Sequence, residues 1–163
     1  MNANMKLAVS SVLLLVAGGL SAYAPEASAQ TVSSQIKNVF AGGNCLTASA
    51  STSLSIQACS SLNAFQKWDR VPVATGLIVI RNNATGRCLQ STTASPAVFA
   101  VQPCNLASNA QRWSLATTAQ FPGQYLFKSV ATSRYLSFNQ VTAQTQLSVA
   151  ALNIADPRQR WTF

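Results

Sequence analysis

The chain has 163 residues and a formal net charge of +8, from 11 Lys and Arg against three Asp and Glu, with no histidine. This composition excludes the Ser-His and Cys-His pairs of nucleophilic hydrolases. A basic surface favours anionic partners such as acidic glycans, lipid head groups, nucleic acid or an acidic protein, although the same charge also serves solubility alone.

The first 29 residues are predicted to be a signal peptide. Lys6 carries the positive charge, Leu7 to Leu20 form an apolar run, and Ala27-Ser28-Ala29 offers small residues for cleavage before Gln30. The run is shorter than the roughly 20 residues that a membrane span needs. We therefore expect an exported protein, extracellular or periplasmic, with one mature domain at residues 30–163 and no transmembrane segment.

Four cysteines, Cys45, Cys59, Cys88 and Cys104, indicate disulfides in an exported chain. Four cysteines allow three pairings. The local pairing, Cys45–Cys59 and Cys88–Cys104, is favoured because each pair then falls inside one sequence repeat. With no histidine and no Cys-x-x-Cys spacing, we expect no metal site and no cofactor.

Three Gln-x-Trp triplets, spaced 45 and 48 residues apart, divide the mature chain into three units. They are Gln66-Lys67-Trp68, Gln111-Arg112-Trp113 and Gln159-Arg160-Trp161. Upstream of the triplets, Asn83–Leu89 aligns with Val130–Leu136, and the units share short β-branched runs between turns rich in Gly, Asn, Ser and Thr. The pattern predicts an all-β protein of about twelve short strands without helices.

Within a strand, residues i and i+2 share a face, so Gln and Trp of each triplet are predicted to point inward as structural residues. The indoles would supply buried area, and the Gln amides would satisfy buried backbone groups of the turns. The middle residues, Lys67, Arg112 and Arg160, would then form a ring of basic side chains at equivalent outer positions, or simply three solvated charges.

These triplets, the Cys-Leu strands and the intra-repeat cysteine pairs resemble the ricin B-type β-trefoil lectin family over nearly the whole mature chain, from Ser34 to Phe163. The resemblance implies a β-trefoil of three pseudo-symmetric repeats that binds a glycan or glycoprotein. The third repeat departs from the pattern, since Tyr135 and Leu152 stand where the cysteines would be, and we expect an apolar contact there instead of a crosslink.

The resemblance also implies one sugar pocket per repeat, built from an Asp after the first Cys, an Asn before the triplet and an aromatic residue before the second Cys. The corresponding residues are Thr47, Phe65 and Gln57 in repeat one, Gln90, Ala110 and Gln102 in repeat two, and Ser137, Arg158 and Ala150 in repeat three. No repeat keeps the set, so we predict altered pockets. Thr47, Gln57, Gln90 and Gln102 are the candidate carbohydrate-binding residues.

Loss of these pockets is also typical of the A and C subunits of cytolethal distending toxins, which resemble ricin-type lectins. The alternative hypothesis is therefore a cell-binding or scaffold subunit of a secreted toxin or enzyme complex, which binds protein rather than sugar. We expect no enzyme, because Asp69 and Asp156 lie in different parts of the repeat pattern and would not face each other across one cleft. We expect no nucleic-acid binding, because aromatic and basic residues do not interleave along one face.

Overall fold

The computed structural model describes residues 32–92, 100–141 and 144–163, so the predicted signal peptide lies outside the described residues. The strands are β1 (Val32–Gln35), β2 (Lys37–Asn38), β3 (Cys45–Ala48), β4 (Leu54–Gln57), β5 (Lys67–Ala74), β6 (Leu77–Asn82), β7 (Cys88–Gln90), β8 (Ala100–Gln102), β9 (Arg112–Thr117), β10 (Tyr125–Ser129), β11 (Tyr135–Val141), β12 (Gln144–Ala150) and β13 (Trp161–Thr162). Two single turns of 3₁₀ helix, Ala64–Gln66 and Pro157–Gln159, precede β5 and β13. No helix within the described ranges is long and apolar enough to cross a membrane.

Strands β1, β2, β5, β6, β9, β10 and β13 form a barrel. They pair antiparallel in the order β1-β5-β6-β9-β10-β13-β2. Because only Ile36 separates β1 from β2, these two act as one strand that pairs with β5 at one end and with β13 at the other, which closes the ring. The predicted first strand is thus split in two, which accounts for thirteen strands where about twelve were expected.

Three hairpins, β3–β4, β7–β8 and β11–β12, extend from the barrel at β2, β6 and β10 respectively. A barrel with three hairpins at equivalent places is the β-trefoil architecture, so the predicted all-β, three-repeat fold is confirmed. The hairpin is also the element in which each repeat would carry its sugar pocket.

The core repeats with the same threefold pattern. Three tryptophans and three leucines, one of each per repeat, are fully buried; they are Trp68, Trp113 and Trp161 with Leu46, Leu89 and Leu136. Each indole N–H donates to the carbonyl oxygen of the leucine in its own repeat, at 2.9, 3.1 and 3.1 Å. Each repeat therefore joins its hairpin to the barrel through one tryptophan, which buries a large apolar area and leaves no indole donor unpaired.

Both predicted disulfides are present. Cys45 bonds to Cys59 and Cys88 to Cys104, so each bond crosslinks the hairpin strand of its repeat to the loop that leads into the triplet. In the third repeat Tyr135 pairs with Ala150 across β11–β12. Leu152, at the other cysteine position, is 47% exposed, so the apolar contact expected to replace the crosslink stays a prediction.

Candidate functional site

The glutamine of each triplet holds the loop that borders its hairpin. In repeat one, Gln66 accepts a hydrogen bond at Oε1 from the backbone N–H of Ser60 at 2.7 Å, and its Nε2 donates to the carbonyl of Ala58 at 2.9 Å. Gln111 makes the same two bonds to Asn105 and Pro103, and Gln159 makes them to Asn153 and Ala151; the four distances are 2.7, 3.0, 3.0 and 2.7 Å. The loops are fixed by buried side chains rather than by strand pairing.

The sequence pattern predicted that each triplet lies within a strand, but the structure does not place the triplets wholly in strands. Gln66 and Gln159 end 3₁₀ turns; β5 begins at Lys67, whereas β13 begins only at Trp161. The turns form because Asn63 and Asp156 cap them, each accepting a bond at Oδ1 from the backbone N–H two residues later, at 3.0 Å. The glutamines are buried because the tight turn directs them inward, not because of a period of two.

Two of the candidate carbohydrate-binding residues support these glutamines. Thr47 is only 4% exposed, and its hydroxyl donates to the carbonyl of Cys45 at 3.1 Å while accepting from Nε2 of Gln66 at 3.1 Å. Gln90 is half-buried, and its Oε1 accepts from Nε2 of Gln111 at 3.0 Å. Both residues occupy the floor of their hairpins and have hydrogen-bonding groups already engaged by the protein.

The other two candidates each end a row of cross-strand neighbours in their hairpins. Gln57 is exposed and pairs across the sheet with Cys45, which pairs in turn with Lys37. Since residues in register on adjacent strands share a face, the basic side chain, the disulfide and the amide form one row across repeat one, in which Cys45 itself is buried. Repeat two has the same row of Arg81, Cys88 and Gln102; repeat three has Lys128, Tyr135 and Ala150.

The row in repeat three therefore lacks the amide that the first two rows share. The residue directly before the triplet of repeat three is Arg158. In repeat one that position is Phe65, which is 36% exposed, and nearby Leu62 is 94% exposed. Repeat one thus exposes an amide, Gln57, and an aromatic ring, Phe65, the two kinds of group that recognise the hydroxyls and the C–H face of a sugar.

Both carboxylates of the described residues form ion pairs. Asp69 accepts from Arg81 at 2.9 Å, and Asp156 is held by both Nε and Nη2 of Arg158 at 2.9 to 3.1 Å. The hydrogen bonds from Arg158 lower the pKa of Asp156, against a smaller opposing effect of desolvation. Neither carboxylate is placed as an uncommitted acid or base, and the described residues hold no cluster of three or more potential metal ligands.

The basic residues in the middle of the triplets occupy equivalent backbone positions. The carbonyls of Lys67, Arg112 and Arg160 each accept from the backbone N–H of the residue that directly follows β6, β10 and β2, respectively. Their side chains differ. Arg112 donates from Nε to the carbonyl of Leu106 at 2.8 Å, whereas the guanidinium of Arg160 lies 3.7 Å from the centre of the Phe121 ring. The three residues do not form a uniform ring of solvated charges.

Arg160 lines a shallow depression that opens to solvent. The other lining residues are Thr118, Phe121, Gln124, Tyr125, Leu126 and Ile154. Sequence reasoning missed this site, because Phe121 and Gln124 lie in the β9–β10 hairpin loop, where no repeat motif marks them. The only available signal was the arginine at the centre of the third triplet.

The barrel, the three hairpins and the buried triplets define the class of β-trefoil lectin domains. The chain belongs to the ricin-type β-trefoil lectin domain family, whose model matches residues 32–161. This is a class of carbohydrate-binding domains. A comparison with curated proteins found no match.

Solved structures share the fold. A designed threefold-symmetric protein, ThreeFoil, is 16% identical with a TM-score of 0.68, covering 80% of this chain and 96% of that one. A chain of the cytolethal distending toxin of Haemophilus ducreyi is 19% identical with a TM-score of 0.64, covering 78% and 80%. The exo-β-1,3-galactanase 1,3Gal43A of Clostridium thermocellum is 17% identical with a TM-score of 0.67; the match covers 82% of this chain but only 30% of the galactanase chain.

Proposed function

We propose that the protein is exported and binds carbohydrate without catalysis, through altered pockets on its two disulfide-linked hairpins. The observation that carries this proposal is the repeated row of a basic residue, a cystine and a glutamine in repeats one and two. Disulfides fix the row, and a side-chain amide can bond adjacent sugar hydroxyls as both donor and acceptor. The family to which the chain belongs supports a glycan as the ligand.

The roles of the four candidate residues divide by their hydrogen-bond partners. Gln57 and Gln102 are the proposed contacts to the sugar, because each ends the cross-strand row of its hairpin and neither is bonded to a triplet glutamine. Thr47 and Gln90 are proposed to support the pocket floor, because their polar atoms are engaged by Gln66 and Gln111. In repeat one, Phe65 supplies the apolar face.

The proposal of a non-catalytic protein is supported by the state of the acidic groups. A glycosidase needs one carboxylic acid and one carboxylate on either side of the scissile bond. Asp69 and Asp156 are each neutralised by an arginine, and Asp156 has a lowered pKa, which is unsuited to a proton donor near neutral pH.

A glycan array followed by calorimetry on the best ligand tests this function. Gln57→Ala and Gln102→Ala are each expected to weaken binding about 2- to 10-fold, the value of one neutral hydrogen bond. Asn139→Ala removes an exposed amide from the third hairpin and serves as the matched control, with affinity unchanged. An array without ligands at high protein concentration would disprove the proposal.

A second candidate function is a binding subunit of a secreted toxin complex. It is favoured by the toxin matches, which cover 80% and 88% of the corresponding chains, and by the fully exposed side chain of Leu62. Copurification from the native secretion medium distinguishes the two functions: a stoichiometric partner protein supports a subunit, whereas a monomer that binds glycans supports a lectin.

A further inference from the structure

The depression at Arg160 lies apart from the three hairpin rows. It is formed by the loop between β9 and β10, which contributes Thr118, Phe121 and Gln124, and by the loop before the third triplet, which contributes Ile154. None of the candidate pocket residues of the family pattern lines it. The depression is therefore separate from the sugar positions described above.

Two polar atoms in this depression have no hydrogen-bond partner. Among the described residues, four buried side-chain polar atoms are unpaired: Nε of Arg160 and Oε1 of Gln124, both in this depression, and Oγ of Ser34 and Nε of Arg70. Buried polar groups are normally paired. One donor and one acceptor left unpaired in the same small site indicate groups held for a ligand.

Arg160 also has no carboxylate partner within the described part of the chain. Asp156 lies near enough for the charge of Arg160 to lower its pKa, but its two oxygens are bound by Arg158. Asp69 is bound by Arg81. Instead the guanidinium stacks on Phe121 at 3.7 Å, an arrangement that fixes its plane while leaving its edge for a planar anion.

We infer that this depression binds the carboxylate of an acidic sugar, a pyranose ring that bears a carboxylate group. The guanidinium would bind the carboxylate through paired hydrogen bonds, Oε1 of Gln124 would accept from a ring hydroxyl, and Phe121 and Ile154 would contact the C–H face. The depression is shallow and open to solvent, so the sugar ring would lie across its mouth. The inference rests on the proposed glycan-binding function and specifies a second, acidic position.

Calorimetric titration with three probes tests the inference: methyl β-D-glucuronide, the methyl glycoside of N-acetylneuraminic acid, and the neutral methyl β-D-glucoside. We expect one of the two acidic sugars to bind at least tenfold more tightly than the glucoside, and the two acidic probes separate a uronate from a sialate site. Arg160→Gln is expected to remove this preference. Arg112→Gln, with the same charge change at the equivalent backbone position of repeat two, is expected to keep it.

Equal affinity for acidic and neutral sugars would overturn the inference, and so would an equal loss of affinity in both arginine variants, which would indicate a general charge effect. Because Arg160→Gln removes a packed side chain, NMR of the wild-type protein provides an independent readout. The acidic sugar should shift the ring resonances of Phe121 and the side-chain amide resonances of Gln124, and unchanged resonances would also overturn it. If neutral glycans bind through Gln57 while acidic sugars have no advantage, the proposed function stands and only this site fails.

Discussion

The turn after the first strand of each repeat offers a sharp test of the threefold design. In repeats one and two it contains Gly43 and Gly86, with φ of +79° and +65°; in repeat three the equivalent residue is Ser133, with φ of +56°. The backbone N–H of each donates to the carbonyl of the last residue of the preceding strand, at 3.0, 2.9 and 2.9 Å. The turn therefore requires the left-handed conformation, which a residue with a Cβ adopts at a cost of about 1–2 kcal/mol.

Replacing Ser133 with glycine removes this conformational cost and so stabilises the folded protein. It also makes the unfolded chain more flexible, which offsets the gain in stability by about 0.4–1 kcal/mol. The side chain of Ser133 is exposed, so little else is lost. The net expectation for Ser133→Gly is a gain of roughly 0.5–1 kcal/mol in the free energy of unfolding. The reciprocal Gly86→Ala should lose about 1 kcal/mol through backbone strain alone, because a Cβ built at Gly86 meets no atom within 4 Å.

Urea denaturation followed by tryptophan fluorescence measures both changes, as a shift of the midpoint at constant slope. Ser133→Ala is the control, since it removes the hydroxyl, keeps the Cβ, and should leave stability nearly unchanged. A loss of stability in Ser133→Gly, or a gain in Ser133→Ala as large as that of the glycine variant, would show that backbone strain at Ser133 does not limit stability.

The remaining predictions concern the crosslinks, the caps and the buried amides. Cys88→Ala with Cys104→Ala should reduce the free energy of unfolding by about 3 kcal/mol in the chain-entropy account; no change in the urea midpoint would contradict it. Asp156→Ala should lose about 1 kcal/mol by removing a cap. Because Arg158 lowers the pKa of Asp156, the part of this contribution that depends on the charge of Asp156 should be complete above the ordinary value near pH 4 and be lost as the pH falls through the lowered pKa. A deficit of the variant that does not shrink on acidification would refute this. Gln111→Ala leaves buried loop groups unpaired and should cost roughly 1–3 kcal/mol, measured by thermal unfolding; a loss below 0.5 kcal/mol on the same scale would contradict it.

Much of the scaffold was predictable because it depends on the spacing of a few residue types along the sequence. The three triplets give the repeat number, and the cysteine positions give the disulfides, both of which the structure bears out. The predicted geometry of the triplet was less accurate. The caps at Asn63 and Asp156 turn the chain before the glutamine, an interaction that a strand-based period does not anticipate.

The site was predictable only as a set of positions. Thr47, Gln57, Gln90 and Gln102 are all aligned with the family pattern, yet they differ in depth and in partners. Whether a polar side chain faces solvent or supports a neighbour depends on cross-strand register, which joins residues far apart in the chain. Their roles in sugar binding stay predictions until a ligand is measured.

The sequence by itself determined the three-unit plan, because the tryptophans and cysteines recur at regular intervals. Burial of an indole and formation of a disulfide can be predicted from these residues with little information about their neighbours. The tertiary structure alone decided which polar groups remain available. It directs Thr47 toward Gln66 and brings the guanidinium of Arg160 over Phe121, from a loop that no motif marks. The physical reason is that the hydrogen-bond and stacking partners of these side chains come from loops distant in the sequence. Those partners are in contact only when the barrel has formed.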